Sequence, residues 1–282
     1  MVYLPSSCIN HSALRLGLQA RYKIEFGNGV LSGPICDSRP AAIMAPMCGR
    51  FVMTYSPAEI QDFFLVSEVV DPELAASWNV APTDPIPLIV DRRIGEEDTA
   101  SRRLATARWG LVPSWAKDTK GAARLINARM ETITEKPSFR KAAASRRGII
   151  PSDGYYEWEK TPDGKKIPTY LHDANSEPLA FAALFENWPD PALPDGHPEK
   201  WLRTATIITT AATDALGHIH DRTPLIVPAD MWTDWLDPDS TKEADVRALL
   251  DSIPEPHLVP RVVSDRVNYV RNNGPELIEP AA

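Results

Sequence analysis

The sequence predicts an α+β fold, rich in short strands and built as one domain. Two patterns carry this. Apolar or alternating runs of strand length recur with Pro, Gly or Asp between them. The few helical segments do not alternate with those runs as a βαβ repeat would. The 282 residues, 43% hydrophobic and 24% charged, hold ample material for a core. The 27 prolines are spread through the chain, with no low-complexity linker.

Residues 1–46 read as a disordered extension or an over-long start, leaving 47–282 as the folded domain. They lack the basic start and continuous apolar run of a secretory signal, although "HSALRLGLQARYKIEF" is mildly cationic. "CGRFVMT" then reads as a strand, and "SPAEIQDFF" as a helix with Ser56 as N-cap, Pro57 at its first position and Glu59 closing a capping box. Further strands are expected at "PIPLIV", "LATARWGLV", "RRGIIP", "YYEWEK", "IPTYLH", "LAFAALFEN", "RTATIITT" and "PLIVP", and further helices at "PSFRKAAASR" and "TKEADVRALLDS". "YYEWEKTPDGKKIPTYLH" is a hairpin turning at Asp163-Gly164. Alternation along it sets Tyr155, Glu157 and Glu159 on one face, Tyr156 and Trp158 on the other.

Composition narrows the function. No window approaches the roughly 20 apolar residues of a membrane helix, so a soluble protein with no membrane partner is expected, and the cysteine usage fits a reducing compartment, the cytoplasm. Cys8, Cys36 and Cys48 show no C-x-x-C spacing, which suggests neither a disulfide framework nor a metal site. Without a phosphate-cradling Gly-rich loop, a cofactor-free mechanism follows. The net charge of −8 argues against coating duplex DNA by bulk attraction, yet residues 101–150 hold 12 Lys and Arg against 3 Asp and Glu. Such a block is either a solvated surface or a phosphate-facing groove.

Cys48 directly follows Met47. If Met47 were the start and were removed, Cys48 would be a terminal 1,2-aminothiol. Its α-amine, with a pKa of about 7.7 to 8 against about 10.4 for lysine, would be partly unprotonated near neutrality. An aldehyde forming a Schiff base with that amine can then be closed upon by the thiol, giving a five-membered thiazolidine, which an internal cysteine cannot do. The plain alternative is a buried strand cysteine. Elsewhere "INARMET" places Asn127, Arg129 and Glu131 in the basic block, "DGYYEW" supplies Glu157, and "GHIHDRTP" supplies His220, Asp221 and Arg222. Each has an ordinary reading as well: Asn127 a turn residue, Glu157 an exposed cross-strand partner of Lys165, His220 a loop histidine.

Together "MCGRF", "WNVAPT", "RWGLVPSW", "LINARMET", "GYYEW", "TTAAT", "IHDRTPLIV" and "VNYVRNNGPELIEP" resemble, in order, the signatures of the SOS-response-associated peptidase (SRAP) family of abasic-site processing proteins. The resemblance implies a β-rich domain of barrel-like antiparallel sheets with peripheral helices. It also implies binding of single-stranded DNA and joining of the N-terminal cysteine to the ring-opened sugar of an abasic site. Cys48, Asn127, Glu157 and His220 match the family's catalytic positions. In this reading Cys48 supplies amine and thiol, Asn127 orients the reactants, Glu157 accepts a proton from the amine, and His220 protonates the sugar ring oxygen. Arg50 and Arg129 are expected on phosphates and Trp115 and Trp158 against bases, although both tryptophans equally suit a core.

The chain departs from the family pattern in two places. Thr223 stands where relatives commonly carry methionine in "H-D-R-M-P", for which altered packing alone is expected. The extension ahead of Cys48 leaves no free amine on that residue until 1–47 are gone. Competing functions are a cysteine peptidase acting on itself, compatible with the first reading, and a nonenzymatic single-strand-binding module. A lyase activity through the imine is chemically open, and a monomer fits a reagent consumed by its own product. The DNA-bound state would be nucleoid-associated.

Overall fold

The computed structural model describes residues 49–70, 74–93, 100–212, 217 and 219–281, with the backbone alone of 21–26 and 29–34. Strands β1 (Arg21–Phe26) and β2 (Gly29–Pro34) pair antiparallel as a hairpin within a unit that ends at Ala45. The unit from Pro46 to Ala282 contains the rest.

That second unit starts with β3 (Phe51–Met53), all of it buried, and α1 (Pro57–Phe64). The helix begins where its capping box predicts. Glu59 N–H donates to Ser56 Oγ at 3.3 Å, Ser56 N–H donates back to the Glu59 carboxylate at 2.7 Å, and Pro57 occupies the first turn. Such a cap contributes about 1 kcal/mol. Ile60 and Phe64 turn inward. Then come β4 (Glu68–Val69), β5 (Ser77–Val80), β6 (Pro85–Arg93), β7 (Ala100–Trp109) and β8 (Asn127–Arg129). They are followed by α2 (Arg140–Ser145), β9 (Arg147–Ser152), β10 (Gly154–Lys160), β11 (Lys166–Asp173), β12 (Leu179–Pro189) and β13 (Trp201–Ala211). The chain finishes through β14 (Arg222–Pro224), α3 (Trp232–Leu236), α4 (Glu243–Ser252) and β15 (Leu258–Val262).

Five strands close into a ring. β13 pairs β12, β12 pairs β9, β9 pairs β6 and β6 pairs β7, all antiparallel, and β7 returns to β13 through a parallel seam at Arg108↔Thr204 and Trp109↔Ala205. A second sheet has the order β15-β11-β10-β3-β5. The fold is α+β, a barrel-like closed sheet with helices at its periphery, as the strand density and the resemblance imply. The interior is filled by alternate strand residues such as Ile86, Leu88, Leu104, Ile149, Phe181 and Ile207, all buried. Phe51 joins the sheets, edge-on to Trp109 at 5.1 Å and to Phe181 at 6.0 Å.

The β10–β11 hairpin forms as expected. Thr161 N–H donates to Lys165 O at 2.9 Å, and Gly164 takes the left-handed φ of 84° that the turn requires. Its faces separate as alternation predicts: Tyr155 enters the main core, while Tyr156 and Trp158 join a second cluster with Val52, Tyr170 and Val267.

Part of the basic block proves architectural. Arg147, 4% exposed, donates to the carbonyls of Ala143, Ala144, Trp235, Asp237 and Ser240, and its guanidinium lies 5.7 Å from the centre of a Trp235 ring. It clamps α2 and α3 onto the barrel. Burial pushes its pKa down and the Asp237 charge opposes that shift. Arg102 pairs Asp91 at 3.0 Å, Arg103 pairs Glu68 at 2.5 Å and Arg146 pairs Glu186 at 3.0 Å. Lys117, Arg124, Arg129, Lys136, Arg140 and Lys141 are exposed. Among the described residues no helix is long and apolar enough to cross a membrane.

Candidate functional site

The far end of β13 has a neighbour on each side. β8 runs parallel to it, Asn127 opposite Ile207 and Arg129 opposite Thr209, and β14 runs antiparallel, Pro224 opposite Thr209 and Arg222 opposite Ala211. One strand thus holds "NAR" and "DRTP" on either flank. Ala128 points inward and is buried, so alternation turns Asn127, half-buried, and Arg129, exposed, to the other face.

An ion pair ties these flanks together. Arg222 Nη1 donates to Glu131 Oε1 at 2.5 Å and Nη2 to Oε2 at 2.9 Å, while Nη2 also donates to the Thr209 carbonyl at 2.5 Å. The arginine side chain is 9% exposed and the glutamate 47%. The Arg222 hydrogen bonds hold the Glu131 carboxyl below the usual carboxylate range, against a smaller opposing effect of burial.

Arg222 also positions His220 through its backbone, whose N–H donates to His220 Nδ1 at 3.1 Å. Asp221 Oδ1 lies 3.0 Å from that same Nδ1. The two contacts demand opposite states, since a lone pair is needed to accept from Arg222 and a proton to donate to Asp221. Nδ1 therefore serves one of these two partners at a time.

Glu157 comes from the second sheet. It is 3% exposed, opposite Thr169 across the hairpin. The reading of it as an exposed partner of Lys165 is corrected: the register pairs Lys160 with Lys166 next to the turn and carries Glu157 three pairs away from it, opposite Thr169. Buried carboxylates are rare outside sites that use or pair them. On the same face, Tyr155 reaches the barrel, its hydroxyl 2.9 Å from Thr223 Oγ1. The expectation of altered packing alone at Thr223 is therefore corrected, because the hydroxyl that replaces a methionine joins β10 to β14 by a buried hydrogen bond. This link sets the Glu157 strand against the strand that follows His220.

Cys48 lies outside the described residues. Gly49, next in sequence, is buried, and Tyr156 N–H donates to Arg50 O at 3.0 Å, so the chain entering β3 already runs beside β10 one residue short of Glu157. Arg50 turns inward. Its Nη1 donates to Asn79 Oδ1 at 2.8 Å and to Val267 O at 3.0 Å. Burial lowers its pKa, opposed by the charges of Asp84 and Tyr156. Asn79, 2% exposed, extends the tie through Nδ2 to the carbonyls of Val267, Tyr269 and Asn272. The residue expected on a phosphate thus acts as a clasp for the C-terminal segment. Trp115 is 66% exposed beside a cavity that Lys117 and Arg124 also line. Trp158 is half-buried, its indole N–H donating to Asn268 Oδ1 at 2.6 Å.

Sequence reasoning missed the Glu131–Arg222 pair and the Tyr155–Thr223 contact. A faint signal existed for the first, since Glu131 is one of three acids in the basic block. None existed for the second, which joins residues of different sheets.

A five-strand ring with a second sheet against it, and Gly49 and Arg50 leading into that sheet beside the strand of a buried glutamate, defines the class of protein. The family model described as "SOS response associated peptidase (SRAP)" matches residues 47–270, and the chain belongs to that family. It is 40% identical over 234 residues, 83% of this chain and 99% of the relative, to the abasic site processing protein YoqW of Bacillus subtilis. It is 31% identical over 242 residues, 83% of this chain and all of the relative, to the abasic site processing protein YedK of Escherichia coli. Among solved structures, a protein from Bacteroides thetaiotaomicron superposes with a TM-score of 0.67 at 23% identity, over 83% of this chain and 100% of that one, a likeness of fold.

Proposed function

We propose that this protein processes abasic sites in DNA and does so by joining Cys48 covalently to the lesion in single-stranded DNA once residues 1–47 have been removed. The observation that carries the reading is Glu157, a carboxylate only 3% exposed on the strand beside which the Gly49-Arg50 run enters the fold. The covalent bond to Gly49 tethers Cys48 within one peptide of that run.

The chemistry closes without a redox partner. The ring-opened sugar offers an aldehyde, and the Cys48 α-amine adds to its carbon. Loss of the carbonyl oxygen as water leaves an imine, and the thiol sulfur then bonds to the same carbon while its proton passes to nitrogen. One C=O is exchanged for one C–N and one C–S bond, and one water leaves. Glu157 takes the proton that the α-ammonium must shed before it can attack. His220, with its two alternative Nδ1 partners, gives a proton to the sugar ring oxygen as the ring opens, regains one from the nitrogen as the amine adds, and hands it to the hydroxyl that departs as water. Asn127 orients the opened sugar by hydrogen bonding, and Arg129, Trp115 and Trp158 line the approach of the strand. Hydrolysis of the Met47–Cys48 bond by the protein itself is the peptidase component of this reading. The imine also opens a lyase branch, because it labilises the β-phosphate of the opened sugar.

The test is intact mass, under denaturing conditions, after incubating the full chain with single-stranded DNA bearing one abasic site. A species equal to residues 48–282 plus the oligonucleotide less one water is expected. A chain that already begins at Cys48 and stays unmodified refutes the crosslink and favours a binding module.

A further inference from the structure

Away from the elements that carry Asn127, Glu157 and His220, at the start of β13, a cavity of about 500 Å³ opens beside the parallel seam of the barrel. Thr83, Pro85, Arg108, Asn187, Trp201 and Arg203 line it, and among the described residues no carboxylate does. Trp201 is 64% exposed, although a free indole on a strand is ordinarily covered. Alternation puts Arg203 on the same face as Trp201, and Arg203 Nη1 donates to Thr106 O at 3.3 Å, which holds the guanidinium along the wall. Arg108 pairs with Thr204 across the seam. Two guanidiniums and an open indole in a chain of net charge −8 are local features, not a reflection of composition.

Two further observations bear on the cavity. Thr83, on its rim, has φ 78°, a left-handed conformation that is unfavourable for a β-branched residue, and its N–H is pinned to Trp109 O at 2.9 Å. The cavity is also linked to the loop carrying Trp115. Trp188 Nε1 donates to Ala116 O at 2.7 Å, and Leu202 packs with Trp188 and Val112, so that loop is fastened to the first residues of β13.

We infer that this cavity is a second nucleic-acid subsite, in which a base of the strand flanking the lesion stacks on Trp201 while neighbouring phosphates meet Arg108 and Arg203. Stacking accepts any base, because every base has a π-face, and guanidiniums fit phosphodiester oxygens. The subsite rests on the reading of the protein as a single-strand binder, and it adds length-dependent grip without taking part in the chemistry.

The experiment measures binding of undamaged, end-labelled oligothymidylates of about 4 to 16 nucleotides by fluorescence anisotropy, with crosslinking of short abasic oligonucleotides followed in parallel. Wild-type affinity should rise in a step once the strand is long enough to reach Trp201. Trp201→Ala should lose about tenfold beyond the step and nothing before it, Trp201→Phe should keep most of the gain, and Arg108→Ala should lower the salt slope by about 0.7 at long lengths only. A wild-type protein without a step, or a Trp201→Ala protein that retains it, overturns the subsite. Failure to crosslink refutes the proposed chemistry alone, because the length step is read on undamaged strands.

Discussion

Replacing Glu131 by glutamine tests the ion pair that fastens β8 to the His220 segment. The substitution keeps the shape and one acceptor oxygen while removing the charge opposite Arg222, whose side chain is only 9% exposed. Breaking a fully buried pair costs about 3 to 5 kcal/mol, and an exposed pair contributes about 0 to 1. Glu131 is half in water and Arg222 keeps its bond to the Thr209 carbonyl, so a loss of about 1 to 2 kcal/mol is expected near neutral pH. For a domain of this size that is a fall in Tm of about 2 to 8 °C. The pH dependence has a definite sign. The folded-state pKa of Glu131 is depressed, so its contribution is complete above the ordinary glutamate pKa of about 4.3 and disappears as pH falls through the lower folded value. Urea unfolding of wild type and Glu131→Gln from neutral to strongly acidic pH should show two curves that differ at the neutral end and converge at the acid end. Equal stabilities at neutral pH, or a gap that persists in acid, would refute the reasoning.

Replacing His220 with alanine should slow crosslinking to abasic DNA while leaving the dissociation constant for undamaged single strands near wild type; an unchanged rate in single-turnover measurements removes it from proton transfer. Tyr155→Phe deletes the hydroxyl that meets Thr223 and should cost about 0.5 to 1.5 kcal/mol in chemical unfolding, with Thr223→Val giving a similar loss and the double variant less than their sum. Additive losses would show that the two hydroxyls do not support each other.

Local patterns were legible and pairings were not. The capping box at Ser56 and Glu59 and the hairpin around Asp163-Gly164 are written in a few adjacent residues, and both form where expected. β8 and β14 were recognised as motifs but not as strands, since three residues are too few for a period and each exists only because β13 lies beside it. β15 escaped because it is an edge strand, largely exposed and interrupted by Pro260. α3 is five residues whose helicity is secured by Arg147, about 90 positions earlier in the chain. In the site, alternation put Glu157 on the face of Tyr155, but its depth depended on the second sheet lying against the barrel. The inward turn of Arg50 was invisible because Asn79 and Val267, its partners, are remote in sequence.

That clasp sets a timetable for biosynthesis. Arg50 is bonded to a carbonyl 217 positions later, and Asn79 to carbonyls as far on as Asn272. At about 5 to 20 residues per second, the ribosome needs about 10 to 45 s between making the two halves of the contact. The ring in turn cannot close until β13 emerges to meet β7. Throughout that interval the segment that leads into β3 lacks its last fastening, so Arg50, made among the first residues of the second unit, waits on some of its last.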